Sequence, residues 1–249
     1  MELKDVKAVV IKEAKYKEKD KMLTLVTDIL GKIPVAAKGI GSITSKLSGG
    51  ISQNCVSEIE IRESSNGIYI LSASKKLISF DNITKDLESG AYTGYILALC
   101  GDLFLEEEPF PALFRLLVNT LYMINEKKKN NELLKAIFEL RSLAISGYGI
   151  DMTECACCDK KETAYINIGE GVCFCSECGK ENPGIPLSAP VAAALTHIMT
   201  CEDKSVFSFN LGETHIKELS KISEEYVKYC MEKEYSALMF LRKVQANRC

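Results

Sequence analysis

Six cysteines lie between positions 155 and 178: Cys155, Cys157, Cys158, Cys173, Cys175 and Cys178. No other feature narrows the fold as much, because sulfur at that density implies a metal site, a redox dithiol or a cluster of uncoordinated thiols. Cys155-Ala-Cys157-Cys158 and Cys175-Ser-Glu-Cys178 form two C-x2-C pairs with sixteen residues between them. That spacing fits a structural zinc ribbon. Two thiolates three positions apart on a tight turn can face one ion, and a second turn completes the tetrahedron. The expected ligands are Cys155, Cys158, Cys175 and Cys178. Cys157 and Cys173 are left over, since C-x-C spacing makes a poorer metal turn. Gly169, Gly171 and Gly179 supply turns for the ribbon. Four cysteine ligands close the coordination sphere, so the expected Zn2+ is structural. A thioredoxin-type dithiol would call for a βαβ setting that the surrounding sequence lacks.

The chain holds eleven cysteines among its 249 residues, and its opening MELKDVKAVVIKEAKYKEKDK is charged throughout, with no secretory apolar core. Thiols in a reducing compartment more often hold metal than form disulfides. No apolar run approaches the roughly eighteen residues of a bilayer span. A cytoplasmic protein is expected.

The first eighty residues read as five strands: Val6–Ile11, Met22–Thr27, Lys32–Ala37, Val56–Arg62 and Ile68–Leu77. Each is rich in β-branched residues and bounded by turn formers. Glu58-Ile59-Glu60-Ile61-Arg62 alternates charged and apolar residues, as a half-buried strand does. Ser64-Ser65-Asn66-Gly67 supplies a hairpin loop. A long Gly- and Ser-rich connection separates the third and fourth strands. This pattern fits an OB-type barrel, and an SH3-like barrel as well. After Asp81 the period becomes helical. Helices are expected over Asp86–Glu107, Pro111–Lys127, Glu132–Gly147 and Ser188–Thr200, with a single long one from Glu213 to about Lys243. Leu113, Leu116, Leu117, Thr120, Leu121 and Ile124 mark the buried face of the second, and Ile216, Leu219, Ile222, Tyr226 and Tyr229 that of the last. The fold class is therefore α+β and multidomain. It comprises an OB-fold domain (1–80), a helical domain (81–150 and 185–249) and an inserted zinc-binding module (151–184).

Residues 1–80 carry 13 Lys+Arg against 9 Asp+Glu, and the remainder 18 against 25. A basic front end on an acidic body is compatible with nucleic-acid contact through one domain. No catalytic constellation accompanies it. His197 and His215 are the only histidines, both within expected helices. Gly39-Ile-Gly41-Ser-Ile-Thr-Ser-Lys46 does not match a Walker loop, and Glu106-Glu107-Glu108 reads as a solvated charge run. A non-enzymatic protein is expected.

The order of landmarks resembles the RecO family. Glu18-Lys19-Asp20-Lys21, Leu25-Val26-Thr27 and Gly31-Lys32 look like that family's first hairpin. Ala37-Lys38-Gly39 leading to Ser45-Lys46-Leu47 looks like its loop after strand three. Glu108-Pro109 with Leu113-Phe114-Arg115-Leu116-Leu117 looks like its central helix. Phe138-Glu139-Leu140-Arg141 through Gly147-Tyr148-Gly149 leads into the first cysteine pair, and Ile185-Pro186-Leu187-Ser188 follows the second. The resemblance implies an OB fold, a helical domain, a zinc module and a mediator role in recombinational repair of DNA damage, close to the nucleoid. It implies binding of single- and double-stranded DNA, strand annealing and recombinase loading. RecR is the implied partner, and the acidic, apolar C-terminal tail of single-stranded-DNA-binding protein is implied to dock on the helical domain. Lys19, Lys21, Lys38 and Lys46 fall at strand connections where an OB groove opens, and Tyr16 and Tyr69 are candidates either for base stacking or for barrel packing. Where the family often has further basic residues after the Lys-Gly pair, this chain has Ile40, Gly41 and Ser42. An alternative function is a zinc-ribbon adaptor with little DNA affinity of its own.

Overall fold

A computed structural model describes residues 2–42, 45, 47–64 and 67–246. Lys46, together with Ser65 and Asn66 of the expected hairpin loop, lies outside the described residues. The chain divides into two compact units, Met1–Glu126 with Tyr235–Cys249, and Lys127–Glu234. The sequence reading draws its boundaries at 80/81 and around the cysteine segment. The unit division instead groups the first helices and the last one with the strands, and the helices between them with the cysteines.

In the first unit, β1 (Glu2–Lys15), β2 (Lys21–Thr27), β3 (Gly31–Ala37), β4 (Cys55–Glu63) and β5 (Tyr69–Ser79) pair in the closed order β1-β2-β3-β5-β4. Every pairing is antiparallel except β3 with β5, which meet in parallel through Val35–Tyr69 and Ala36–Ile70. Alternation explains the closure. Val6, Ala8, Val10, Leu23, Leu25, Ile33, Val35, Ile59 and Ile61 all point into one core, which Ile40 and Ile51 of the β3–β4 connection also enter. Side chains of every second residue thus leave water together. Tyr69 belongs to this core as well, so it packs and is not a stacking platform.

Helices α1 (Asp81–Lys85), α2 (Leu87–Leu103) and α3 (Pro111–Asn125) follow, and α7 (Ser236–Ala246) completes the unit. The Asp86 carboxylate caps α2 by accepting from Ser89 N–H at 3.1 Å. The expected apolar side of α3 is buried at all six positions, Leu113 to Ile124. The helix expected to run to Glu107 stops at Leu103, because the chain turns extended at Phe104 and bridges to β3. Lys32 N–H donates to Leu105 O at 3.0 Å, and Glu107 N–H donates to Lys32 O at 3.2 Å. Gly31, with φ of +64°, makes this approach possible: a Cβ there would lie 2.0 Å from Glu108 O.

The second unit combines α4 (Asn131–Leu143), α5 (Ala189–Thr200) and α6 (Glu213–Met231) with a small sheet. The sheet consists of β6 (Asp151–Cys155), β7 (Tyr165–Asn167), β8 (Val172–Phe174) and β9 (Ile185–Pro186), in the order β6-β8-β7-β9. Asn130 caps α4 by accepting from Glu132 N–H at 2.8 Å and Leu133 N–H at 3.3 Å. The Arg141 guanidinium holds the chain after α5, donating to Ile198 O, Cys201 O and Asp203 Oδ1 at 3.1, 2.9 and 2.9 Å. The long terminal helix expected from Glu213 is two helices. α6 ends at Glu232, which adopts the left-handed conformation at φ 50°. Tyr229, placed by periodicity on the packing face, is 56% exposed. Its hydroxyl donates to Gly169 O at 3.1 Å.

Candidate metal centre and nucleic-acid face

The candidate metal centre is built by two tight turns at one end of the small sheet. Cys155 ends β6, and the turn after it is closed by Asp159 N–H donating to Cys155 O at 3.0 Å. Cys175 follows β8, and Gly179 N–H donates to its carbonyl at 2.9 Å. These turns bring together the sulfurs of Cys155, Cys158, Cys175 and Cys178, all within 4.8 Å of one another. The Cys158 and Cys175 sulfurs are 3.7 Å apart. A tetrahedral zinc with Zn–S bonds of about 2.3 Å requires sulfur–sulfur edges of about 3.8 Å, so the four residues fit such an ion. Cys155 and Cys175 are buried, Cys178 is half-buried and Cys158 is exposed. Phe174, Tyr165 and Val172 pack beneath them. Gly179 is required for that packing, since a Cβ would lie 2.1 Å from the Tyr165 ring.

The clustered thiols shift one another in opposite directions, with Cys155 lowered and Cys158 and Cys178 raised. A backbone N–H of Cys175, helped by those of Cys157 and Cys158, lowers the Cys155 thiol to about 6 against the opposing effect of burial. Hydrogen bonds with Cys158 and Cys175 push the Cys178 thiol up instead. Metal binding to thiolates displaces their protons, so metal affinity at these four sulfurs depends on pH. The two remaining cysteines differ. Cys173 is buried and donates to Glu154 O at 3.2 Å, and burial raises its thiol. Cys157 is exposed, with its sulfur 3.6 Å from Asn182 Nδ2.

In the barrel, the loop after β1 and the turn after β3 are tied together. Gly41 N–H donates to Lys19 O at 3.0 Å, and Gly39 N–H donates to Asp20 Oδ1 at 2.8 Å. Lys19 and Lys38 are therefore exposed at the same end of the barrel. Lys21 differs, because its ammonium pairs with Glu13 Oε2 at 2.7 Å. Tyr16 stands 60% exposed in the same loop, with Lys17 Nζ 5.6 Å from its ring centroid. Ile40 turns into the barrel core, so the position after the Lys-Gly pair serves packing. Lys46 is outside the described residues. Of the cations outside the barrel, Lys129 is held by Phe209 O and Asn210 Oδ1 at 2.6 and 2.7 Å, and Arg242 Nη1 donates to Gln245 Oε1 at 2.6 Å.

Two family models, described as Recombination protein O N terminal and Recombination protein O C terminal, match residues 1–80 and 84–238. The chain belongs to the RecO family of DNA repair proteins. A DNA repair protein RecO from Acetivibrio thermocellus is 29% identical over 97% of both chains. The one from Caldicellulosiruptor bescii is 30% identical over 98% of this chain and all of its own. A third, from Dehalococcoides mccartyi, is 32% identical over 94% of this chain and 93% of its own. The RecO N-terminal match ends where β5 gives way to α1, and the C-terminal match carries the whole cysteine module. Among the described residues, no helix of this RecO family member is long and apolar enough to cross a membrane.

Sequence reasoning missed the Asn182 amide, which donates both to the Cys157 sulfur and, at 2.9 Å, to Cys178 O. Nothing in the spacing signals it, since the contact joins the two turns only after they fold.

Proposed function

We propose that this RecO family protein is a mediator of recombinational repair that acts by binding DNA and partner proteins and not by covalent catalysis. The family match over both halves carries the reading. The barrel is read as an OB fold, supported by its closed order β1-β2-β3-β5-β4 and its long β3–β4 connection. In this reading Lys19 and Lys38 engage phosphates of a single strand, Lys21 extends that face, Lys46 is a further DNA contact by its place in the sequence, and Tyr16 offers a ring to a base. Because Lys21 is already paired with Glu13, its share is smaller. Double-stranded DNA binding, annealing of complementary strands and recombinase loading follow from the same surface working with RecR. The acidic tail of single-stranded-DNA-binding protein is assigned to the helical domain. The cytoplasm, at the nucleoid, is the matching location.

Zinc is the proposed occupant of the four-cysteine centre, held by Cys155, Cys158, Cys175 and Cys178. Bound there it supplies a structural cross-link, with no open position for substrate. Charge argues that this module stays off DNA: residues 151–184 hold seven Asp+Glu against three Lys. The same acidity, with the inward Ile40, favours the second reading of a protein-contacting adaptor with little DNA affinity.

Fluorescence anisotropy with a labelled single-stranded oligonucleotide, titrated with salt, separates the two. Binding that weakens steeply with salt supports the mediator, because each neutralised phosphate adds to the slope. No binding at low salt supports the adaptor.

A further inference from the structure

The metal reading uses four of the six clustered sulfurs, and the two left over have opposite surroundings. Cys173 is enclosed, with its thiol donating to Glu154 O and accepting from Thr163 Oγ1 at 3.5 Å. Cys157 faces solvent on the first turn. It is also held toward the second turn, because the Asn182 amide nitrogen lies 3.6 Å from its sulfur and 2.9 Å from the carbonyl oxygen of Cys178. An accessible sulfur that is not needed for coordination thus shares one amide with the backbone of a ligand residue from the opposite turn.

We propose that Cys157 is a redox sensor that opens the metal centre by forming a disulfide with Cys178, an inference that rests on the metal reading above. The oxidant is hydrogen peroxide. It oxidises the Cys157 thiol to a sulfenic acid: an S–O bond forms, the peroxide O–O bond breaks, and the departing oxygen takes the thiol proton and leaves as water. The Cys178 thiolate then attacks the Cys157 sulfur. An S–S bond forms, the S–O bond breaks, and the departing hydroxide takes a proton to leave as water. The two sulfurs together lose two electrons to one peroxide. The centre loses one of its four ligands, and the metal is no longer fully enclosed.

Geometry selects the partner. Cys158 is adjacent in the chain, and neighbouring Cα atoms about 3.8 Å apart fall short of the roughly 4.4–6.8 Å that an unstrained disulfide spans. Cys155 and Cys175 are buried and less able to swing outward. Cys178 is half-buried, and the Asn182 amide that meets the Cys157 sulfur also holds the Cys178 carbonyl, which keeps the two residues in one neighbourhood. Reduction by a dithiol restores both thiols and the site.

The test treats the full chain with graded hydrogen peroxide. A chromogenic chelator reads released zinc, and peptide mass spectrometry maps disulfides. The expected result is zinc release in step with a Cys157–Cys178 disulfide, with both reversed by dithiothreitol and added zinc. Cys157→Ser should keep its zinc without oxidant and need several-fold more peroxide to lose it. Equal sensitivity of Cys157→Ser and the parent protein, or a disulfide that omits Cys157, overturns the proposal. Protein purified without zinc sinks the metal reading on its own. The disulfide map of that protein still decides whether Cys157 pairs with Cys178.

Discussion

Lys135 occupies a fully buried position on α4, and its ammonium lies 2.9 Å from Glu139 Oε2 and 2.8 Å from Glu224 Oε1. Ser223 Oγ donates to the same Glu139 oxygen at 2.6 Å. Removing the cation strands a buried carboxylate, and such losses cost about 3–5 kcal/mol. Lys135→Ala should therefore lower the unfolding free energy by about that much, seen as a lower urea midpoint, whereas Lys135→Met combined with Glu139→Leu should recover most of it. If the single variant unfolds like the parent, the charges contribute nothing net. At the proposed zinc centre, Cys175→Ser removes a buried sulfur and should release zinc and expose the module to protease, since metal binding and local folding are coupled. Retained zinc with an unchanged cleavage pattern would refute this ligand set. The cysteine set was legible because spacing alone encodes it. Lys135 was not, because a charged residue within a helical pattern reads as surface until its partners from another helix are known.

Elements bounded by punctuation were also legible. Each of the five barrel strands falls where β-branched runs end at Gly, Asn, Asp or Ser, although β1 extends to Glu2–Lys15, beyond the expected Val6–Ile11. The break between α6 and α7 was invisible because no Gly or Pro marks it. It is made by Glu232 in the left-handed conformation, with φ 50° and ψ 33°, a geometry that costs an L-residue roughly 1–2 kcal/mol. Glycine accepts it without that cost. Glu232→Gly should accordingly raise stability by up to about 1 kcal/mol, after the entropy that glycine adds to the unfolded chain. Denaturant curves check this through a higher midpoint at an unchanged slope. A lower midpoint would mean that the Glu232 side chain makes contacts worth more than the strain.

For the whole molecule, charge is divided along the sequence. The strand region has four more cations than anions, and residues 151–184 have four more anions than cations. Sequence alone displayed that asymmetry but not which cations are available, because Lys21 and Lys129 spend their charge on internal partners and Lys19 and Lys38 stand in solvent. If the barrel end with Lys19 and Lys38 carries the strand, Lys19→Ala with Lys38→Ala should weaken binding. Each single-strand phosphate contact adds about 0.7 to the slope of log affinity against log salt, so losing two should flatten it by roughly 1.4. Lys161→Ala with Lys180→Ala removes the same number of charges from the acidic module and should leave the slope where it was. The comparison is sharper than affinity alone, because a general loss of positive charge would flatten both slopes equally. A flattened slope in the module variant and an intact one in the barrel variant would move the nucleic-acid face out of the barrel.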